Sequence, residues 1–178
     1  AGKKSNHERI NTLKQILETK TYNQKKFKNS NYWIILGDLN FRIDTSFEYA
    51  FKMIKNKEYI DLIRYDQFYV YCKREKKLAI ASEGTINFAP TYKFVPGSNN
   101  YLNEEGKIRI PSYTDRILFC NKRGIANIDY KSIPNIMFSD HRPVQGCFEI
   151  EIIENNNSEN KNMNPYINSN SDTYLNIN

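Results

Sequence analysis

The stretch that decides the fold is Tyr32-Trp33-Ile34-Ile35-Leu36-Gly37-Asp38-Leu39-Asn40, a continuous apolar run that stops abruptly at a glycine and two polar residues. A short run rich in β-branched and aromatic residues is typical of a strand buried on both faces. Asp38 and Asn40 would follow this strand and could point into a cleft at the sheet's edge. There Asp38 could accept a proton or hold a water molecule, and Asn40 could donate to an anionic oxygen. The alternative is an ordinary Asp/Asn turn.

Outward from this strand, helical and extended patterns are mixed along the chain. Three segments have the spacing of apolar residues or the capping residues that predict a helix: 1–20, one beginning near 44–46, and 59–73. Three segments have short apolar runs that predict strands: 117–120, 125–130 and 144–153. Two segments are predicted to be loops, the second leading into an extended stretch: 21–31 and 78–94. The mixture predicts an α/β or α+β fold class.

Length and composition narrow the class of protein further. The chain has 178 residues, which fits one domain or part of a larger one. Its formal charge of +6 permits, without requiring, an anionic partner such as phosphate, nucleic acid or an acidic membrane face. The lysines are interleaved with Asn and Glu, which argues against a nucleic-acid partner. No run of about 18 apolar residues is present, so we predict no membrane-spanning helix.

Two further features of the composition carry predictions. The three cysteines, Cys72, Cys120 and Cys147, are far apart and lack the spacing of a zinc site, so we expect buried free thiols in a reducing compartment. In residues 154–178, 10 of 25 residues are Asn and apolar residues are sparse. Such a segment buries too little apolar surface to offset the entropy of ordering, so we predict a folded part over 1–153 and a disordered Asn-rich tail.

A second polar cluster, Pro111-Ser112-Tyr113-Thr114-Asp115-Arg116, directly precedes the strand predicted at 117–120. The ordinary interpretation of neighbouring Asp115 and Arg116 is an ion pair at the protein surface. The pattern alone therefore assigns no function to either residue.

A third polar cluster, Ser139-Asp140-His141-Arg142-Pro143, precedes the last predicted strand. This combination suits a hydrolytic site, because imidazole exchanges protons near neutral pH, a carboxylate can bind a metal, and Arg142 would be the cation for a phosphate. The alternative is a loop histidine paired with a nearby carboxylate. The other histidine, His7, lies on the polar side of the first predicted helix and is expected to be solvated.

Taken together, four segments in this order resemble the inositol-polyphosphate 5-phosphatases, a branch of the endonuclease/exonuclease/phosphatase superfamily. The segments are 37–43 (GDLNFRI), 88–94 (FAPTYKF), 111–118 (PSYTDRIL) and 139–144 (SDHRPV), with weaker support from 65–68 and 83–88. The first and last are general to the superfamily, and the middle two narrow the resemblance to the inositide branch.

The resemblance implies a two-sheet α/β sandwich in which a Mg²⁺-dependent site directs water in line at a 5-phosphate. By that resemblance, Asp38 would orient or deprotonate the water, and Asn40 would hold a phosphoryl oxygen. His141 would contact the scissile phosphate, and Asp115 would fix its tautomer. Asp140 would belong to the metal environment. Such positioning and charge neutralisation are what phosphoryl transfer mainly requires.

Substrate choice is implied by a second set of residues. In the family, the positions matching Tyr92, Lys93, Lys107 and Arg109 grip the 4-phosphate of the inositol ring, and lysine and arginine supply the charge-assisted donors that this needs. Arg116 is expected to support the site by pairing with a carboxylate. The implied substrates are phosphoinositides or inositol polyphosphates, and the residues do not distinguish lipid from soluble ones.

The resemblance also has a gap. A complete catalytic domain of this family is much longer than residues 1–153, and nothing before Asp38 matches the family's N-terminal Mg²⁺-binding Asn and Glu. The expectation is therefore the C-terminal half of a catalytic domain, with the N-terminal half missing. The alternatives are an inactive fragment that binds phosphoinositides or a protein, and a sibling-branch phosphodiesterase or nuclease. We expect a cytoplasmic location with peripheral contact to the cytosolic face of an anionic membrane, and the sequence leaves the oligomeric state undetermined.

Overall fold

The computed structural model describes residues 3–72, 78–104 and 107–152. The helices are α1 (Lys3–Glu18), α2 (Phe47–Lys55) and α3 (Tyr59–Leu62). The strands are β1 (Ile34–Asp38), β2 (Ala81–Glu83), β3 (Asn103–Glu104), β4 (Lys107–Ile108), β5 (Asp115–Cys120), β6 (Ile125–Ser132) and β7 (Val144–Ile150). The predicted tail 154–178 and the side chain of Cys72 lie outside the described residues. Cys120 and Cys147 are free thiols, of which Cys120 is buried as predicted and Cys147 is only partly buried.

Two antiparallel sheets pack against each other around β5. In the first, β5 lies between β1 and β2. The second consists of β6 and β7, and it contacts the first where the rings of Phe119 and Phe148 meet edge to face at 5.2 Å. The backbone N–H of Ile117 donates to the hydroxyl of Tyr130 across the same interface, at 3.2 Å. The predicted mixed α/β class is confirmed.

The prediction that the 32–36 run is buried on both faces is wrong. Leu36 in β1 is 55% exposed and Ile34 and Ile35 are only partly buried, so the described part of the chain does not cover both faces of this strand. The strand buried on both faces is β5, which is paired on either side by β1 and β2. Apolar composition marked a strand correctly but did not show which strand lies in the centre.

Helix α1 covers one side of this arrangement with the apolar face that its sequence predicts. Ile10, Leu13 and Leu17 are buried against Trp33 and Leu118. Helix α2 begins where the capping residues predict, because the Ser46 hydroxyl accepts the backbone N–H of Tyr49 at 3.2 Å. Helix α1 precedes β1 in the chain and α2 follows it, so the two helices flank this strand in sequence.

The prediction of one continuous helix over 59–73 is wrong, because the helix is interrupted in the middle of this segment. Helix α3 ends at Leu62 and passes through a 3₁₀ turn at Ile63–Tyr65, and a turn of π-helix follows at Phe68–Cys72. Between them Asp66 is extended and pairs with Ile43. The break allows the Asp66 carboxylate to reach Arg116 inside the protein, a tertiary contact that helical periodicity does not reveal.

Arg116 is the centre of a buried ion-pair cluster. Its Nη1 donates to Asp66 Oδ1 at 2.7 Å, and its Nε and Nη2 donate to the two carboxylate oxygens of Glu83 at 3.0 and 2.9 Å. The guanidinium lies 4.6 Å from the ring centroid of Phe68. Burial disfavours the cation, but the two carboxylates outweigh it and raise the pKa of Arg116. The expectation of a supporting carboxylate partner thus fits, whereas the surface-pair interpretation with Asp115 does not, since adjacent strand residues point to opposite faces.

Replacing Arg116 with methionine is expected to destabilise the protein by about 3–5 kcal/mol, because Asp66 and Glu83 would remain buried without a counter-charge. The matched control is Arg64→Met, which breaks the exposed pair with Asp61 and should cost less than about 1 kcal/mol. Denaturant unfolding of both variants measures the difference. Equal and small losses would contradict the central role of the cluster.

Candidate active site

The candidate site lies where β1 ends and β5 begins. The two strands are antiparallel, so these ends meet, and the backbone N–H of Leu39 donates to the Thr114 carbonyl at 2.8 Å. The segment around Tyr92 joins them through backbone pairing with Ser112, and it also pairs with His141. Segments distant in sequence therefore converge at one edge of the three-stranded sheet.

Asp38 and Asp115 are direct cross-strand partners. Directly opposed residues place their Cβ atoms about 4.5–5.5 Å apart on one face of a sheet, so both carboxylates project toward the same space. The backbone N–H of Asn40 donates to Asp38 Oδ1 at 2.8 Å. Asn40 has a φ of 58°, a conformation that Asn tolerates better than most residues. Asp38 and Asn40 are both exposed, as groups that meet a substrate must be.

His141 is oriented by Asp115. Its Nδ1 lies 3.0 and 3.1 Å from the two carboxylate oxygens. The hydroxyls of Thr91 and Thr114 donate to Asp115 Oδ2 at 2.7 and 2.9 Å, so the carboxylate is held from several sides. The neutral imidazole is therefore expected to carry its proton on Nδ1 and to leave Nε2 available for proton transfer.

Thr91 and Thr114 are site residues that sequence reasoning missed. Both are fully buried, and they lie inside the motifs 88–94 and 111–118. The signal in the sequence was Thr114, whose hydroxyl directly precedes Asp115 in a motif that is otherwise rich in functional residues. Their burial beside a carboxylate explains the choice of threonine, since a buried carboxylate oxygen needs donors.

The Tyr92 ring contacts both His141 and Arg42. Its ring centroid lies 4.5 Å from that of His141, and the guanidinium carbon of Arg42 lies 4.4 Å from the Tyr92 centroid. Arg42 Nη2 also donates to Asn40 Oδ1. Arg42 belongs to the 37–43 motif but received no role from the sequence.

Lys93 and Asp140 form a loose ion pair with 3.9 Å between Nζ and Oδ2. The backbone also joins their segments, because the N–H of Phe94 donates to the Asp140 carbonyl at 2.9 Å. The pair is partly exposed, so Lys93 remains accessible to an anion. Asp140 accordingly lies at the site, beside a cation rather than among other carboxylates.

A complete metal site is not formed by the part of the chain that the structure describes, where no group of three or more His, Cys, Asp or Glu side chains could hold a metal ion. Mg²⁺ requires near-octahedral oxygen coordination. Asp140, paired with Lys93, can supply one such ligand and no more. The donor set present here therefore does not by itself fit the ion.

The other two predicted substrate-binding residues, Lys107 and Arg109, lie on segments that adjoin the site, and no contact of either side chain with a site residue is described. Lys107 is in β4, and its side chain is outside the described residues. The β3–β4 hairpin adjoins Lys93, because the N–H of Leu102 donates to the Lys93 carbonyl at 2.8 Å. Arg109 is exposed just after the hairpin, three residues before Ser112. The structure thus brings Tyr92 and Lys93 to the site and places Arg109 on an adjoining segment.

The prediction that Arg142 is the cation for a phosphate is wrong. Arg142 is only 2% exposed. Its guanidinium donates to the carbonyls of Ser98 and Ser139 and lies 3.9 Å from the ring centroid of Phe94. It ties the 139–141 segment to neighbouring loops, so a residue flanking His141 in sequence serves the fold instead of the substrate.

Asp115→Asn is expected to change the tautomer of neutral His141. In the native protein the carboxylate accepts a hydrogen bond from Nδ1–H, whereas Asn can turn its amide to donate to Nδ1, which favours the Nε2–H form. The ¹⁵N chemical shifts of the His141 ring nitrogens distinguish the two forms. Asp129→Asn, at an exposed residue paired with Lys131, is the control and should leave these shifts unchanged. An unchanged spectrum in Asp115→Asn would argue against the orienting contact.

Comparison with known proteins identifies a family. Residues 1–147 match endonuclease/exonuclease/phosphatase family 2. The chain is 41% identical to type I inositol polyphosphate 5-phosphatase 1 of Arabidopsis thaliana over 125 residues, which is 67% of this chain and 21% of that protein. It is 37% identical to phosphatidylinositol 4,5-bisphosphate 5-phosphatase INP51 of Saccharomyces cerevisiae over 155 residues, which is 85% of this chain and 16% of that protein.

Solved structures show the same relationship. The inositol polyphosphate 5-phosphatase domain of SPsynaptojanin, in complex with inositol (1,4)-bisphosphate and calcium, superposes with a TM-score of 0.72 at 29% identity. The match covers 84% of this chain and 45% of that domain, so the chain spans less than half of it. Cimex nitrophorin in its ferrous NO complex also matches, with a TM-score of 0.62 and 26% identity over 76% of this chain.

The nitrophorin match shows that the fold alone does not determine the chemistry, which must be argued from the site. The shared fold, the family match over residues 1–147 and the named relatives nevertheless agree on one classification. The chain belongs to endonuclease/exonuclease/phosphatase family 2, and its similarity within that family is to the inositol polyphosphate 5-phosphatases.

Proposed function

We propose that the protein containing this chain hydrolyses the 5-phosphate of inositol polyphosphates or phosphoinositides. The observation that carries the proposal is the contact of His141 with Asp115 directly across the sheet from Asp38. The relatives support the 5-phosphate in particular. Inositol (1,4)-bisphosphate, bound by the synaptojanin domain, is what remains when inositol 1,4,5-trisphosphate loses its 5-phosphate.

Each side chain of the site has a chemical role in this proposal. Asp38 orients the attacking water and accepts its proton as the bond from phosphorus to the inositol 5-oxygen breaks, and that oxygen takes up a proton from solvent. The Asn40 amide donates to a phosphoryl oxygen, and His141 in its protonated form donates from Nε2–H to the phosphate that is cleaved. Asp115 holds the imidazole so that Nε2 faces the substrate. Positioning and charge stabilisation of this kind are the main contributions that a protein makes to phosphoryl transfer.

The proposal includes a requirement for Mg²⁺. A divalent cation neutralises charge on the phosphoryl oxygens, and the related synaptojanin domain contains calcium. Asp140 is the ligand that we assign to this chain. Because the donor set described above is incomplete, we assign roles only to this chain's own residues.

Recognition of a 4-phosphate is proposed for Tyr92, Lys93, Lys107 and Arg109. Lys93 supports this proposal most directly, since its ammonium is partly exposed and its contact with the Asp140 carboxylate is long, at 3.9 Å. An incoming phosphate monoester carries more charge than Asp140 and can form a shorter, charge-assisted hydrogen bond. The tyrosine ring beside His141 would place this phosphate next to the one that is cleaved.

The cellular setting is part of the same proposal. No helix in the described part of the chain combines the length and apolar character needed to cross a bilayer. We propose a cytoplasmic location with peripheral contact to anionic membrane, supported by the net charge of +6 and by the phosphoinositide substrates named for relatives. No nucleic-acid partner is proposed.

Asp38→Asn is expected to lower kcat for phosphate release from inositol 1,4,5-trisphosphate by at least about 100-fold, because the variant loses the proton acceptor yet keeps an oxygen for the Asn40 N–H. Asp61→Asn, at an exposed carboxylate paired with Arg64, is the control and should retain full activity.

Chelation with EDTA should stop phosphate release, and Mg²⁺ should restore it. Binding of inositol phosphates without release by the unmodified protein would instead identify an inactive binding protein.

Lys93→Met is expected to reduce selectivity for a 4-phosphate. Losing one charge-assisted hydrogen bond of about 1.5–3 kcal/mol should lower kcat/KM for phosphatidylinositol 4,5-bisphosphate about 10- to 100-fold. The same variant should change kcat/KM for phosphatidylinositol 5-phosphate much less. Lys131→Met is the control, because Lys131 is an exposed lysine that pairs with Asp129. Equal losses on both substrates would remove Lys93 from the recognition of the 4-phosphate.

A further inference from the structure

Arg42 has a backbone that is fixed more firmly than its position in a loop suggests. Its N–H donates to Gln67 Oε1 at 3.1 Å, and its carbonyl accepts the Gln67 N–H at 2.8 Å. Gln67 is itself buried, and its side chain is held by Arg9 Nη2 at 2.6 Å and Asp44 Oδ1 at 2.7 Å. The backbone from which the Arg42 side chain extends is therefore held in place.

The Arg42 guanidinium is held at its other end by two residues of the candidate site. Nη2 donates to Asn40 Oδ1, and the guanidinium carbon lies 4.4 Å from the centroid of the Tyr92 ring. A planar guanidinium can stack on an aromatic ring and donate sideways at the same time, which a lysine ammonium cannot do. Arg42 thus joins the segment after β1 to the Tyr92 segment.

The contact with Asn40 has a chemical consequence. An Asn side chain has one acceptor oxygen and one donor nitrogen, and Arg42 occupies the oxygen. The Nδ2 donors are then the end of the amide that is left for a phosphoryl oxygen. Without a donor at Oδ1 the amide could turn over and present its oxygen, which would repel the substrate.

We infer that Arg42 is a positioning residue, which fixes the orientation of the Asn40 amide and acts on the substrate only through it. This inference rests on the proposed function and adds a residue to which the sequence assigned no role. The guanidinium is supported by the Tyr92 ring while its hydrogen bond sets the amide. The contribution of Arg42 to catalysis therefore depends on the presence of the Asn40 side chain.

A double-mutant cycle on phosphate release from inositol 1,4,5-trisphosphate tests this dependence. Arg42→Lys retains the charge but loses the planar fork, and should lower kcat about 10-fold with less than about a twofold change in KM. Asn40→Ala should lower kcat at least as much. In the Asn40→Ala background the Arg42→Lys change should have little further effect, because the interacting partner is already gone. Arg64→Lys, at an exposed arginine, is the control and should leave both constants unchanged.

A second measurement does not require activity. In ¹⁵N-labelled protein, the order parameter of the Asn40 side-chain amide should fall in Arg42→Lys and remain unchanged in Arg64→Lys. Unfolding temperatures, measured for Arg42→Lys and in parallel for Arg42→Gln, show whether the fold survives.

Three results would overturn the inference. The first is that the two substitutions lower kcat independently of each other, and the second is that Arg42→Lys raises KM alone. The third is that both Arg42 variants lose the folded state, which would show that the arginine is a structural residue. Absence of phosphate release by the unmodified protein would contradict the proposed function instead. In that case the amide measurement would still decide whether Arg42 orients Asn40.

Discussion

The structure depends on one buried cation. Arg116 lies in the central strand β5, and its guanidinium is neutralised by Asp66 and Glu83. Leaving a charge in a protein interior without partners costs several kcal/mol, so the three segments that carry these residues must come together for the chain to fold. This requirement breaks the predicted helix before Asp66 and brings β2 alongside β5. The hydroxyl of Tyr130, which donates to Glu83 Oε1 at 3.0 Å, extends the same cluster to the second sheet.

The buried cluster also determines where the candidate site lies. Successive residues of a strand point to opposite faces, so fixing Arg116 toward the interior turns Asp115 toward the other face, where it contacts His141. The cross-strand register then sets Asp38 opposite Asp115. A structural residue and a site residue are thus neighbours in sequence because a strand alternates between two environments.

The sequence predicted those parts of the molecule in which local pattern and tertiary role agree. The strand ending at Asp38, the Ser46 cap of α2 and the convergence of Asp38, Asn40, Asp115 and His141 follow from apolar runs, capping chemistry and motif order. Their chemical roles stay predictions.

Other features could not be predicted, because they depend on contacts between distant segments. The exposure of Leu36 depends on which segments pack over each face of β1, and the interruption of the 59–73 helix depends on the distant partner Arg116. The burial of Arg142 depends on carbonyl groups of two loops, and a sequence does not show whether an arginine beside a histidine faces solvent or the interior. The Asn-rich tail at 154–178 lies outside the described residues and stays a prediction.

Burial divides the residues around the site into two groups with different consequences. Thr91 and Thr114, which hold Asp115, are fully buried, so changing them alters packing as well as chemistry. Asp38 and Asn40 are exposed at the end of a strand, so their side chains can change while the core around β5 remains intact. Cimex nitrophorin also shares the fold, and one fold can support different chemistry when the residues of its site differ. The fold therefore fixes the positions of β1 and β5, and we expect a few exposed side chains where these strands meet to determine the chemistry of the site.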